Sequence, residues 1–153
     1  MLIQRIDEDL RRTVFIASGK VLAKDGQSPI TRTVTNNTHR LGFGVLTGTT
    51  INAKQERTYQ TIPCGVYKNN TGGKILYDIA LTLKKNDVVF LCGYVHKGVY
   101  TDHVTGKQKE STEYRVEYIL PLRMFSKYIK DVNEEEIPTL TKISTEEDDG
   151  CSF

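Results

Sequence analysis

Alternation of apolar and polar positions dominates this chain and predicts strands. Val14–Ala23 puts Phe15, Ala17, Gly19 and Val21 on one face. A stretch rich in turn formers, KDGQSPITRTVTNNTHR, follows and reads as a long loop or loose hairpin. Leu41–Thr49 sets Leu41, Phe43 and Val45 on one face and Gly42, Gly44 and Gly48 on the other. Glycines on one side of a strand either permit sharp coiling or let a ligand approach the backbone. Tyr59–Lys68 predicts a third strand, and Val88–His96 a fourth, apolar on both sides at its start. The segment TEYRVEYIL alternates strictly, with Tyr114, Val116, Tyr118 and Leu120 facing one way and Glu113, Arg115 and Glu117 the other.

One segment breaks the rhythm. In NNTGGKILYDIALTLKKND, Ile75, Leu76, Ile79, Ala80 and Leu83 fall on one helical stripe. Between the last two strands, KGVYTDHVTGKQKES predicts a basic hairpin turning near Thr105-Gly106. The predicted order is β-β-β-α-β-β. That is the order of a five-stranded OB-fold, a Greek-key β-barrel in the all-β class with its helix between strands 3 and 4. RMFSKYIK has the length of a short helix, and beyond Asp131 no periodicity survives, which predicts disorder. The N-terminal residues Ile3, Ile6 and Leu10 have helical spacing. The predicted organisation is an N-terminal extension (1–12), a barrel (13–122), and a linker with an acidic tail (123–153).

Charge changes the picture. The formal net charge is only +2, but it is unevenly spread. Asp131–Phe153 holds eight acids against one base, and Met1–Lys130 holds 20 bases against 11 acids. A basic body with an acidic tail predicts a polyanion-binding surface and a segment that competes for it or binds elsewhere. The three cysteines, Cys64, Cys92 and Cys151, lack zinc-ligand spacing; Cys64 and Cys92 read as small core residues. No metal or cofactor is expected. Charges interrupt the N-terminus too early for a signal peptide, and no long apolar stretch predicts a membrane span. A reducing, cytoplasmic setting is the expectation.

The segment LKKNDVVFLCGYVHKGVYTDHVTGKQKESTEYRVEYI closely resembles the bacterial and phage single-stranded DNA-binding protein family. The resemblance rests on Leu83, Lys84-Lys85, Asp87, Val89, Leu91, Gly93, Tyr100, Asp102, Gly106 and Thr112-Glu113. Gly19-x-Val21 is similar to the family's first strand, and Tyr67 falls where the family has an aromatic. The chain end, with Glu146, Glu147, Asp148, Asp149 and Phe153, resembles the family's acidic, phenylalanine-terminated tail, although Ser152 stands where a proline is usual. The resemblance implies an OB-fold, DNA replication, DNA recombination and DNA repair as setting, protein partners from those processes, and a bacterial cell or phage-infected host. It also implies a homo-oligomer, with a tetramer favoured over a dimer or monomer.

Unpaired nucleic acid offers a phosphate chain and unstacked bases, so a binder needs cations and flat π-faces. There is no tryptophan, which leaves tyrosine and phenylalanine to stack. The resemblance assigns stacking to Tyr67 and Tyr100. Tyr100 also sits among Lys97, Lys107 and Lys109 on a hairpin, where an aromatic has little core to fill. Tyr59, beside Arg57 and Lys54, is a third candidate, although ordinary strand packing is the slightly favoured reading there. Phe15, Phe43, Tyr114 and Tyr118 read as core. Candidate phosphate contacts are Arg32, Arg40, Lys54, Arg57, Lys68, Lys97, Lys107 and Lys109, all in predicted loops or at strand ends. The acidic tail would lie in the cationic groove until DNA displaces it, and Phe153 would then offer partners a ring and a carboxylate.

Two rivals are an RNA-binding OB-fold protein and a protein-interaction barrel that binds no nucleic acid. Catalysis is not expected. Gly72-Gly73-Lys74 lacks the earlier glycine and the Ser/Thr of a phosphate-binding loop, and His39, His96 and His103 form no catalytic spacing. His103 beside Asp102 reads as a hairpin-surface pair.

Overall fold

The computed structural model describes residues 1–68 and 73–125. It divides into two compact units, Met1–Pro121 and Leu122–Phe153. Of the second unit only 122–125 are described, and they are helical. The disordered linker, Cys151 and the acidic tail predicted from sequence lie outside the described residues.

The first unit is mostly β. Its strands are β1 (Leu2–Asp7), β2 (Arg12–Leu22), β3 (Thr31–Thr35), β4 (Thr38–Ile51), β5 (Arg57–Tyr67), β6 (Val88–Thr101) and β7 (Gln108–Pro121), with helix α1 (Gly73–Leu81) between β5 and β6. The sheet order is β1-β2-β6-β7-β5-β4-β3, and an added β2–β4 pairing closes β2, β4, β5, β7 and β6 into a ring. All pairings are antiparallel except β5 with β7. Gly19 makes closure feasible: a Cβ there would stand 2.0 Å from the Leu46 carbonyl oxygen, so only glycine lets β2 press onto β4.

Among the described residues, seven strands replace the five predicted. The helical spacing of Ile3, Ile6 and Leu10 does not produce a helix, because β1 pairs with β2 from Leu2↔Ala17 to Asp7↔Arg12. Backbone pairing with the edge of β2 spans six residue pairs, alternate ones hydrogen-bonded, and outweighs a weak local period. The long loop contains the other extra strand. β3 and β4 meet through Asn36 and Asn37, both at positive φ (45° and 64°), a conformation asparagine tolerates in tight hairpins. The two arms of the longest hairpin, β6 and β7, run from the barrel to a turn containing Gly106 at φ 67°.

The core gathers Phe15, Val21, Leu41, Val45, Val66, Leu91 and Val116, with Leu76, Tyr77, Ala80 and Leu83 brought to it by α1 and its C-terminal end. Phe15 and Tyr114 meet edge to face at 5.1 Å, and the Tyr114 hydroxyl accepts from Gln4 Nε2 at 3.0 Å. Three predicted core positions fail. Ile75 is exposed, because the helix turns Tyr77 inward instead. Tyr118 is 61% exposed. The cause is a bulge: Cys92 pairs with Tyr118 but Gly93 pairs with Val116, so Glu117 is an extra residue and the inward face passes from Val116 to Ile119. Cys92 lies on the outer side, half-buried, while Cys64 is buried as predicted.

Candidate nucleic-acid interface

The outer face of the barrel carries the most organised cluster of charge and aromatic surface among the described residues. Five strands contribute in register: Val14 of β2 pairs with Tyr94 of β6, Tyr94 with Arg115 of β7, Arg115 with Gly65 of β5, and Tyr67 of β5 with Arg40 of β4. Strand alternation turns these polar side chains outward while Val95, Tyr114, Val66 and Leu41 point in.

The side chains form a ladder of guanidinium groups and rings. Arg12 lies 4.3 Å from the Tyr94 ring centroid, and Arg115 lies 4.9 Å from that of Tyr67. Both distances are within cation–π range. Glu113 ties the far end together. Its Oε2 accepts from Arg40 Nε at 2.7 Å and contacts Nη2 at 2.6 Å; its Oε1 accepts from the Tyr67 hydroxyl at 2.6 Å and from Arg115 Nε at 3.3 Å. Arg12 reaches Glu117 at 3.6 Å, and its buried Nε has no hydrogen-bond partner among the described residues. Glycines make the flat packing feasible. A Cβ at Gly65 would stand 2.8 Å from the Glu113 carboxyl carbon, and one at Gly42 would stand 2.6 Å from Arg40 Nη1.

The electrostatics follow from this contact set. Burial works to raise the Glu113 pKa, but the Tyr67 hydroxyl and Arg40 hold it below the ordinary carboxylate value. Burial, and then the hydrogen bond to Glu113, push the Tyr67 phenol up. Burial works to lower the Arg115 pKa, yet Tyr94, Tyr67 and Glu113 raise it. The face sets three arginines, Arg12, Arg40 and Arg115, against Glu113 and Glu117.

Among the described residues, the stacking and phosphate candidates read from sequence fall into five places. Arg40 and Tyr67 belong to this face, but as tethered groups. The Tyr67 hydroxyl is bound to Glu113 and one side of its ring faces Arg115. Lys97, Tyr100, Lys107 and Lys109 lie on the β6–β7 arm, where Tyr100 is half-exposed and pairs with Lys109. Lys109 is committed to Asp102 at 2.6 Å, and it is Lys109, rather than His103, that forms the ion pair there. That contact, with backbone hydrogen bonding from Val104, lowers the Asp102 pKa. Lys54, Arg57 and Tyr59 lie on the β4–β5 arm, with Tyr59 58% exposed. Arg32 is exposed on β3. Lys68 donates its backbone N–H to His39 and holds its ammonium 5.9 Å from the Tyr77 ring centroid, at the sheet–helix junction.

Sequence reasoning missed Arg12, Tyr94 and Arg115. The available signal was alternation: each is an outward position on a strand whose neighbours point in. Which strands are neighbours is not written in that alternation.

A crystal structure of a small single-stranded DNA-binding protein from Streptomyces coelicolor is similar to this chain, at 15% identity and a TM-score of 0.46, over 72% of this chain and 94% of that one. No family model matches the sequence. No curated protein matches it either.

Proposed function

We propose that this protein is an OB-fold protein that binds single-stranded DNA with little sequence preference. It would coat and protect unpaired strands during replication, recombination and repair. The observation that carries the reading is the Arg12–Tyr94 and Arg115–Tyr67 ladder running across the strands of one face. Rings and guanidinium planes offer flat surfaces to bases of any identity, and the surplus cations meet phosphates. Tyr59 and Tyr100, on projecting arms, supply the exposed rings; Lys54, Arg57, Lys97 and Lys107 supply positive charge on the same arms, and Arg32 adds a cation on β3. Base-edge readout is not required, so discrimination among sequences is weak.

The remaining parts of the reading concern assembly. Ile3, Ile16 and Tyr118 are exposed in one outward row, joined through Cys92 by the pairings Ile3↔Ile16, Ile16↔Cys92 and Cys92↔Tyr118. An apolar row of this kind supports a homo-oligomer. The tail residues Glu146–Phe153 would recruit partner proteins and vacate the basic face when DNA arrives.

The test is titration with oligo(dT) while following tyrosine fluorescence and mass together, with an RNA oligomer as competitor. Loss of each stacking ring, by Tyr59→Ala or Tyr100→Ala, should cost about 1–3 kcal/mol. With four phosphates engaged, log K should fall with log salt at a slope of roughly −3. Absence of binding at low salt, or a Tyr59→Ala/Tyr100→Ala double variant that binds like the parent, would overturn the proposal. Preference for RNA would redirect it. Removing Glu146–Phe153 should preserve or tighten DNA binding and abolish partner capture.

A further inference from the structure

A groove of about 390 Å³ opens on the outer face beside the ladder. Its lining includes Pro29, Thr31, Arg40, Gly42, Gly44 and Pro63. Small-molecule pockets run about 300–1,000 Å³, so it is a small site. It exists because of a seam in the sheet. One edge of β4 pairs with β3 as far as Thr31↔Gly42 and with β2 from Leu22↔Gly44 onward. The partner changes there, and the chain between β2 and β3 swings away, which leaves the seam open with Pro29 on one side. Across β4 the register Gly44↔Pro63 supplies the other wall.

Arg40 closes the head of the groove. Glu113 engages its Nε and Nη2, while Nη1 lies over Gly42. The guanidinium is therefore fixed in plane and presents a donor edge to whatever enters. Gly44 differs from the glycines that the fold requires. A Cβ at Gly19 or Gly93 would collide with a backbone carbonyl oxygen at 2.0 or 1.9 Å. A Cβ at Gly44 would meet only the Leu22 side chain at 3.7 Å, an ordinary contact, and its φ is not in the left-handed region. Packing does not demand glycine at 44, and the missing side chain leaves the floor of the groove open.

We propose that this seam is a nucleotide subsite: one base of the bound strand lies flat over the Phe43–Gly44 peptide plane between Pro29 and Pro63, with Arg40, seated on Gly42, meeting its phosphate or carbonyl oxygen. The proposal rests on the single-stranded DNA reading above and adds where one unit of the strand sits. Flat contact between a base and bare peptide planes needs no side chain beneath it, and proline rings make rigid apolar walls that cost little entropy to hold. The positive head selects the nucleotide over an uncharged aromatic.

Gly44→Val puts a side chain on the floor, its Cβ meeting nothing closer than the Leu22 side chain at 3.7 Å. Binding of oligo(dT) should weaken about tenfold, with circular dichroism and urea midpoint close to the parent. In the parent, an oligomer carrying 4-thiothymidine should photocrosslink to the peptides holding Pro29–Thr31, Phe43 or Pro63. If the parent binds oligo(dT) but crosslinks only to the β4–β5 and β6–β7 arms, or if a folded Gly44→Val binds like the parent, the subsite is wrong and the DNA reading stands. If the parent fails to bind at low salt, the DNA reading itself falls and takes the subsite with it.

Discussion

Glu113→Ala removes the carboxylate that ties Arg40, Tyr67 and Arg115 together, and its cost follows from the geometry. The Glu113 side chain is 17% exposed and the two arginines 29% and 28%, so the cluster lies between a surface pair and a buried one. Exposed ion pairs contribute about 0–1 kcal/mol. Breaking a fully buried pair costs about 3–5 kcal/mol. Water can still reach the arginines left behind, and the Tyr67 hydroxyl loses a charged acceptor, so about 2 kcal/mol is the expected loss. That is roughly a 30-fold shift in the folding equilibrium. Urea is the appropriate denaturant because it adds no salt; with m near 2 kcal/mol/M the midpoint should fall by about 1 M. The pH dependence carries a sign. The Glu113 pKa is held below its ordinary value of 4.5 despite burial, by Tyr67 and Arg40. A depressed carboxylate pKa contributes stability that is complete above the unfolded value and is lost as pH falls through the folded value. The gap between parent and variant should therefore be full at pH 7 and shrink below about pH 4.5. A gap under about 0.5 kcal/mol at pH 7, or one that persists unchanged at pH 3, would refute the reasoning.

Three further outcomes are expected. Gly93→Ala should destabilise the barrel by at least ~2 kcal/mol in the same urea assay, because its Cβ would stand 1.9 Å from the Arg115 carbonyl oxygen at the bulge; Gly98→Ala, with nothing closer than 3.4 Å, should stay within about 0.5 kcal/mol. In a Cys151→Ser background, iodoacetamide should label Cys92 well before Cys64, since burial raises both thiols but Cys64 far more; equal labelling rates in the folded state would contradict the placement. Ile16→Glu, at the centre of the outward apolar row, should lower the mass seen by light scattering without altering the circular dichroism spectrum, and an unchanged mass would remove that row from the assembly surface.

Local pattern was enough to place the barrel strands, the helix and most of the core. Phe15, Leu41, Val45 and Leu91 are inside because alternation put them on apolar faces, and α1 forms where the period changes from two toward 3.6. Basic residues near projecting hairpins, and tyrosines among them, were equally visible. What local pattern could not reveal was pairing. Glu117 bulges only because β6 and β7 meet in one register, and that single extra residue carries Tyr118 from the predicted core to the surface. Likewise Arg12, Tyr94, Arg115, Tyr67 and Arg40 are scattered over more than a hundred positions of sequence, and only barrel closure lays them side by side. The physical reason is the same in both cases. A strand's periodicity decides which way each side chain points, whereas hydrogen-bond register between distant strands decides what it points beside.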